Sequence, residues 1–278
     1  MKIPNHNKQK KVAVINDFTG FGRCSLAVSL PIISHMKIQC NSVITSVFSN
    51  HTGFEEYFFD DYTDKMQEYI DEWKKLDLEF QGIYSGFLGS RKQIQIVEKF
   101  INDFKREGTK VIVDPVMGDN GKLYATYNDA MCQEMKKLVC YADILTPNVT
   151  EACILTDTQY REKFTSKELF QMVEKLSDLG AEKIVISGVK MGEYIGNVVY
   201  EKDKIKKIIR MKRVGQERSG TGDIFASIIT ADCVNGVDFE TSVRKAGNFI
   251  KKCNIATEKY EVPKTDGVCF EEVIDSLK

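Results

Sequence analysis

No apolar stretch of membrane-spanning length occurs in the 278 residues, which argues against a membrane-embedded chain. No linker rich in Pro, Gly or Ser, no low-complexity tract and no fixed-period repeat divides it, so one domain over residues 1–278 is expected. Histidine is scarce, with only His6, His35 and His51, which disfavours a zinc centre of closely spaced Cys and His. The eight cysteines (Cys24, Cys40, Cys132, Cys140, Cys153, Cys233, Cys253, Cys269) are scattered without a CxxC pair. That spacing favours buried, reduced thiols over a disulfide framework. GxxxxGK[ST] is absent, so a P-loop is not expected. A formal charge of -1 leaves no global basic field for nucleic acid or membrane, and makes a small molecule the expected partner. Met1 to Lys11 is polar and basic without an apolar signal core. A cytoplasmic protein is expected, with residues 1–10 as a flexible N-terminal segment.

What is present is ordinary globular composition, 42% hydrophobic and 28% charged, and one unusual turn. Ser219-Gly220-Thr221-Gly222-Asp223 runs directly into an apolar, helix-like segment from Ile224. Glycines allow a tight turn and close approach to a ligand, and the first amides of a helix lack internal partners. A carboxylate there repels phosphate, so Asp223 fits better as a base toward an attacking hydroxyl than as a phosphate contact. A simple helix cap with a glycine turn fits this segment equally well.

Along the chain, short apolar runs alternate with amphipathic stretches. Strands are expected at Lys11–Asn16, Cys40–Thr45, Phe80–Phe87, Lys110–Pro115, Asp143–Thr146 and Lys183–Ser187, and helices at Cys24–Met36 (bent at Pro31), Tyr62–Leu76, Arg91–Glu107, Asn128–Cys140 and Ser166–Leu179. This rhythm predicts an α/β fold, a three-layer α/β/α sandwich around a central, mostly parallel sheet. Tyr194–Val214 breaks it and reads as an antiparallel hairpin, followed by helices at Asp223–Val234 and Phe239–Thr257.

Ligands of open parallel sheets collect at the carboxyl ends of the strands. Asn16 and Asp17, Asp114 with Asp119, Asn148 with Glu151, and Ser187 with Gly188 all stand at such ends. Any one of them alone is more simply a cap or turn former. Asp119 and Glu151 suit Mg2+, which takes oxygen ligands and keeps several waters, the latter through water. Glu151 could equally serve only the N-terminus of its helix.

Asn41-Ser42-Val43, Phe48-Ser49-Asn50-His51-Thr52-Gly53-Phe54, DPVMGD from Asp114, TPNVTEA from Thr146 and SGTGD from Ser219 together resemble the pyridoxal kinases of the ribokinase-like superfamily, in order from about Val12 to Thr257. The resemblance implies ATP-dependent phosphorylation of the 5'-hydroxymethyl group of a B6 vitamer, a phosphotransfer to an alcohol. It implies Asp223 as base and the amides of Gly220, Thr221 and Gly222 as anion hole. Asp114, Asn148, Ser187 and Gly222 would meet ATP, and Asp119 and Glu151 Mg2+. His51 and Thr52 would meet the vitamer, together with Asp17 and Phe87 as pocket candidates. A monovalent cation (K+ or Na+) and a homodimer are further family traits.

Asp17 falls where many of these kinases carry a small hydroxyl residue, so it is expected to favour a cationic ring substituent, that of pyridoxamine. Phe87 fits ring stacking and core filling equally. The nearest rival is a hydroxymethylpyrimidine kinase, disfavoured by the FSNHTG segment and by Asp rather than Cys closing the glycine turn. A sugar or nucleoside kinase is less favoured because the first half lacks lid strands. A silent nucleotide-binding module is disfavoured by the intact Asp223.

Overall fold

The computed structural model describes residues 5–277. In chain order its elements are β1 (Lys11–Phe21), α1 (Leu26–His35), β2 (Gln39–Asn50), β3 (Phe59–Asp61), α2 (Thr63–Lys75), β4 (Gly82–Ser85), α3 (Arg91–Phe104), β5 (Lys110–Val113), β6 (Gly118–Asp119), β7 (Lys122–Leu123) and α4 (Asp129–Val139). There follow β8 (Ile144–Leu145), α5 (Val149–Leu155), α6 (Ser166–Asp178), β9 (Lys183–Met191), β10 (Tyr194–Glu201), β11 (Ile205–Lys212), α7 (Thr221–Asn235) and α8 (Phe239–Lys259).

Nine strands form one sheet in the order β11-β10-β9-β8-β5-β4-β1-β2-β3. Its centre, from β9 to β2, is parallel, and β3, β10 and β11 join antiparallel at the two edges. Period-two alternation of the strands makes this a three-layer structure. Ala13, Ile15, Val111, Val113, Ile184 and Ile186 face one core, with α2 to α6. Val12, Val14, Ile112 and Val185 face the other, with α1, α7 and α8. The expected α/β sandwich is therefore present, with its hairpin at β10 and β11.

Several boundaries differ for physical reasons. β1 does not stop at Asn16 but continues to Phe21, because β2 extends far enough to pair Phe18 with Val47 and Phe21 with Asn50. The register slips between Asn16 and Phe18, and such a bulge re-aims the side chains beside it. Phe48, Ser49 and Asn50, beyond the expected strand Cys40–Thr45, are the end of β2, and Phe48 pairs with Phe59 of β3. β9 runs past Ser187 to Met191 because β10 returns against it. Pro31 lies inside α1. Of the expected flexible segment, residues 1–4 lie outside the described residues. Asn7 is tied to the domain by bonds to the Asp77 carbonyl (2.9 Å) and the Glu79 amide (3.0 Å).

Candidate active site

At the carboxyl ends of the strands lies a cleft of about 840 Å³. Asp17, His51, Thr52, Phe87, Asp114, Asp119, Asn148, Glu151, Ser187, Gly220, Thr221, Gly222 and Asp223 all line it. Positions up to 206 residues apart in sequence thus share one cavity wall.

The glycine turn starts α7. Gly220 is its N-cap in the left-handed region (φ 80), with Asp223 in the first turn. Thr221 Oγ1 donates to the Arg218 carbonyl (3.3 Å), and Gly222 has open space where a side chain would be. Arg218, just before the turn, is 8% exposed, and its guanidinium donates to the Pro263 carbonyl (2.7 Å) and to Glu258 (3.3 Å). The free first-turn amides of α7 and the positive end of its dipole make an anion site beside a carboxylate.

Asp223 is half-buried. Burial pushes its carboxyl up to about 6, Asp17 adds repulsion, and hydrogen bonds from the Ser25 backbone and the Asn16 side chain oppose the rise. Asp114, at the end of β5, is pushed up to about 8 by burial and by the Asp223 charge, though it accepts from Thr146 Oγ1 (3.1 Å). Glu151 is also raised, by burial first and then by Asp114. Mutual repulsion among acids at one cleft is the electrostatic signature of a place for a cation or for protons.

The two metal candidates differ. Asp119, on the β6–β7 hairpin, is exposed, and among the described residues its carboxylate accepts from Asn120 (2.7 Å to the backbone amide, 3.1 Å to the side chain). Glu151 is 3% exposed, and both its oxygens are engaged, by the Met117 amide (3.2 Å) and the Asn148 amide (2.8 Å). Asn148 Oδ1 accepts in turn from the Glu151 amide (3.0 Å), closing a capping box on α5. The helix-terminus role of Glu151 is therefore real. Among the described residues no three His, Cys, Asp or Glu cluster as a preformed metal cage. Asn148 also donates to the Gly118 carbonyl (2.8 Å), and the Ser187 amide donates to the Pro147 carbonyl (2.9 Å), so α5 and the β9 end are held together.

At the other end of the cleft, Asp17 is 4% exposed and accepts from Thr19 Oγ1 (2.7 Å). Burial raises its carboxyl, while Ser25 and Thr19 lower it. Phe87 lines the cleft, and its ring meets that of Phe48 edge-on at 6.2 Å. Thr52 is exposed. His51 lines the cleft, but its ring nitrogens bond to protein groups. Nδ1 accepts from the Gly53 amide (3.0 Å), so the proton sits on Nε2, which donates to the Thr265 carbonyl (2.6 Å) beside Ser219 Oγ (3.2 Å). The histidine thus ties the end of β2 to the glycine turn and to residue 265.

Sequence reasoning left two lining residues, Asn16 and Lys190, without roles. Asn16 donates from Nδ2 to Asp223 Oδ1 (3.3 Å). Lys190 pairs with Glu217 (2.9 Å) and donates to Asn120 Oδ1 (2.9 Å), linking β9, the loop before the glycine turn and the hairpin that carries Asp119. The position of Asn16 one residue before Asp17 at a strand end was the only available signal for it.

Comparison with known proteins identifies the family of the chain. The family model described as phosphomethylpyrimidine kinase matches residues 29–267. A crystal form with pyridoxal of a Bacteroides thetaiotaomicron protein, provisionally described as a phosphomethylpyrimidine kinase, superposes with a TM-score of 0.94 at 37% identity, covering 97% of this chain and 96% of that one. Bos taurus pyridoxal kinase is 26% identical over 214 residues, 69% of this chain and 67% of that protein. The hydroxymethylpyrimidine/phosphomethylpyrimidine kinase of Aquifex aeolicus is 22% identical over 239 residues, 85% of this chain and 91% of that protein. Among the described residues no helix is long and apolar enough to cross a membrane. The match over most of its length makes the chain a member of the phosphomethylpyrimidine kinase family, to which its pyridoxal kinase relatives also point, with a ribokinase-like fold.

Proposed function

We propose that this protein transfers the γ-phosphoryl group of ATP to the 5'-hydroxymethyl group of a B6 vitamer, with Mg2+. The observation that carries the proposal is the placement of Asp223 at the N-terminus of α7 in the same cleft as Asp17, Thr52 and Phe87. Two further findings support it. The Bacteroides protein, 37% identical, has a crystal form with pyridoxal, and a Leishmania donovani pyridoxal kinase of the same fold is known with ADP.

In this reading Asp223 accepts the hydroxyl proton as the oxygen attacks phosphorus. The amides of Gly220, Thr221 and Gly222 stabilise the charge that develops on the transferring group. Asp114, Asn148 and Ser187 line the nucleotide end and fix its position, which is most of what phosphoryl transfer requires of a protein. The hard oxygen donors fit Mg2+: Asp119 offers its exposed carboxylate directly, and Glu151, with both oxygens engaged, acts through water. Bound there, the ion would neutralise phosphate charge. The expected monovalent cation, homodimer and cytoplasmic placement belong to the same proposal, and sedimentation checks the dimer.

Hydroxymethylpyrimidine is the second reading, favoured by the family model and the Aquifex relative. The test is ATP-dependent phosphorylation of pyridoxal, pyridoxine, pyridoxamine, hydroxymethylpyrimidine and sugars. Turnover confined to hydroxymethylpyrimidine would overturn the B6 assignment.

A further inference from the structure

We infer that Asn16 is a positioning residue for the Asp223 carboxylate, and that residue 86 is glycine because Asn16 occupies the space a side chain would need. The inference rests on reading Asp223 as the base.

Asn16 is 1% exposed at the last paired position of β1 before the bulge. Its Oδ1 accepts two backbone amides, Asp17 at 3.0 Å and Phe87 at 2.8 Å. Both are donors only, so the carboxamide has one allowed orientation: turned over, it would set its NH2 against two N–H groups and its oxygen against a carboxylate. Nδ2 therefore faces Asp223 Oδ1, at 3.3 Å. One side chain thus joins β1, the segment after β4 and the first turn of α7. The bond to Oδ1 restricts rotation of the Asp223 carboxylate, together with the hydrogen bond from the Ser25 backbone. A donor aimed at the ionised carboxylate also opposes the burial that favours its protonation.

Gly86 supplies independent support. A Cβ there would lie 2.6 Å from Asn16 Nδ2, 2.7 Å from Cγ and 2.9 Å from Oδ1, too close for any side chain. The backbone of Gly86 lies outside the left-handed region, so its conformation does not demand glycine. Its amide is bonded to the Ile15 carbonyl at 2.8 Å, which holds the segment against β1 and prevents it from drifting away from Asn16.

The test compares wild type, Asn16→Asp, Asn16→Ala, Gly86→Ala and Asp223→Asn on whichever hydroxymethyl substrate the panel identifies. The readouts are the pH profile of kcat/KM, kcat, KM for ATP and thermal stability. Asn16→Asp keeps the shape and the acceptor for both amides, replacing only the donor. Losing a hydrogen bond to a charged group should lower kcat about tenfold in Asn16→Ala and Gly86→Ala, with KM for ATP changed less than about twofold. The acidic limb should move up by roughly one pH unit in both, and furthest in Asn16→Asp, where a second carboxylate faces Asp223. An acidic limb unmoved in folded Asn16→Ala and folded Gly86→Ala, with Asp223→Asn inactive, overturns the positioning role and leaves the base intact. Wild-type turnover in Asp223→Asn removes the base, and the inference with it.

Discussion

Gly220 and Arg23 approach so closely that no side chain fits between them: a Cβ on Gly220 would lie 1.9 Å from the Arg23 carbonyl oxygen. Arg23 cannot readily retreat. Its own φ is 47, and its guanidinium is held by Glu271 (2.8 Å) and by the Asp266 carbonyl (3.0 Å). The turn after β1 and the turn before α7 are thus locked backbone to backbone, which sets the first amides of α7 relative to the end of β1.

Gly220→Ala should therefore cost about 2 kcal/mol from the left-handed backbone alone, before any displacement of Arg23. Moving the anion-site amides should also lower kcat by about a hundredfold. Gly222→Ala is the control, since no atom lies within 4 Å of its added methyl. Calorimetry should show Gly220→Ala melting several degrees lower and Gly222→Ala melting with the wild type.

With Asp223 as the proposed base, its carboxyl, raised to about 6, should set the pH dependence of turnover. A base works only when ionised, so kcat/KM should fall as pH drops through about 6 and level off above it. Asp223→Asn should lose most turnover while nucleotide binding, followed by calorimetric titration, stays near wild type. Full activity in that variant would remove Asp223 from the chemistry.

These features were unequally visible in the chain itself. Lys110-Val111-Ile112-Val113 reads as a buried strand because both faces of a central parallel strand are covered, and the acids after such strands then fall at the ligand end by topology alone. Asp114 and Ser187 were placed at the cleft in that way. The link between Asn16 and Asp223 spans 207 positions and depends on the side-chain volume missing at Gly86. His51 likewise meets Thr265 and Ser219, 214 and 168 positions away. Neither contact has a local pattern, because periodicity records which face a residue occupies and not which distant group it meets. The continuation of β1 to Phe21 was hidden for a related reason. It needs the matching length of β2, which polar Asn16, Asp17 and Gly20 conceal.

Asp114 should make stability depend on pH in a definite direction. Its carboxyl is raised to about 8 in the fold from an ordinary 3.8, so the folded state binds the proton more tightly than the unfolded chain. Its contribution is fully favourable below about 4, declines as pH rises, and is lost by about 8. Asp114→Asn removes that dependence while keeping an acceptor for Thr146 Oγ1. Its melting temperature should match wild type near pH 4 and exceed it increasingly up to about pH 8. Parallel curves across that range would show that Asp114 is ionised throughout.

Asp17 sits in the bulge of β1 with Thr19 and Ser25 as hydroxyl partners, and burial raises its carboxyl. A cationic substituent on a bound ring would oppose that rise, since a nearby positive charge favours the ionised carboxylate. Pyridoxamine brings such an ammonium, whereas the aldehyde of pyridoxal and the hydroxymethyl group of pyridoxine do not. Asp17→Asn retains an acceptor for Thr19 and removes only the charge, while Asp17→Ser also opens space. Both should lower kcat/KM for pyridoxamine relative to pyridoxal by roughly tenfold, the worth of one charge-assisted hydrogen bond. Competition between the two vitamers in one reaction reads that ratio directly. If the ratio in both variants equals that of wild type, Asp17 does not select the vitamer, and its carboxylate serves only to hold Thr19 and Ser25 in the bulge.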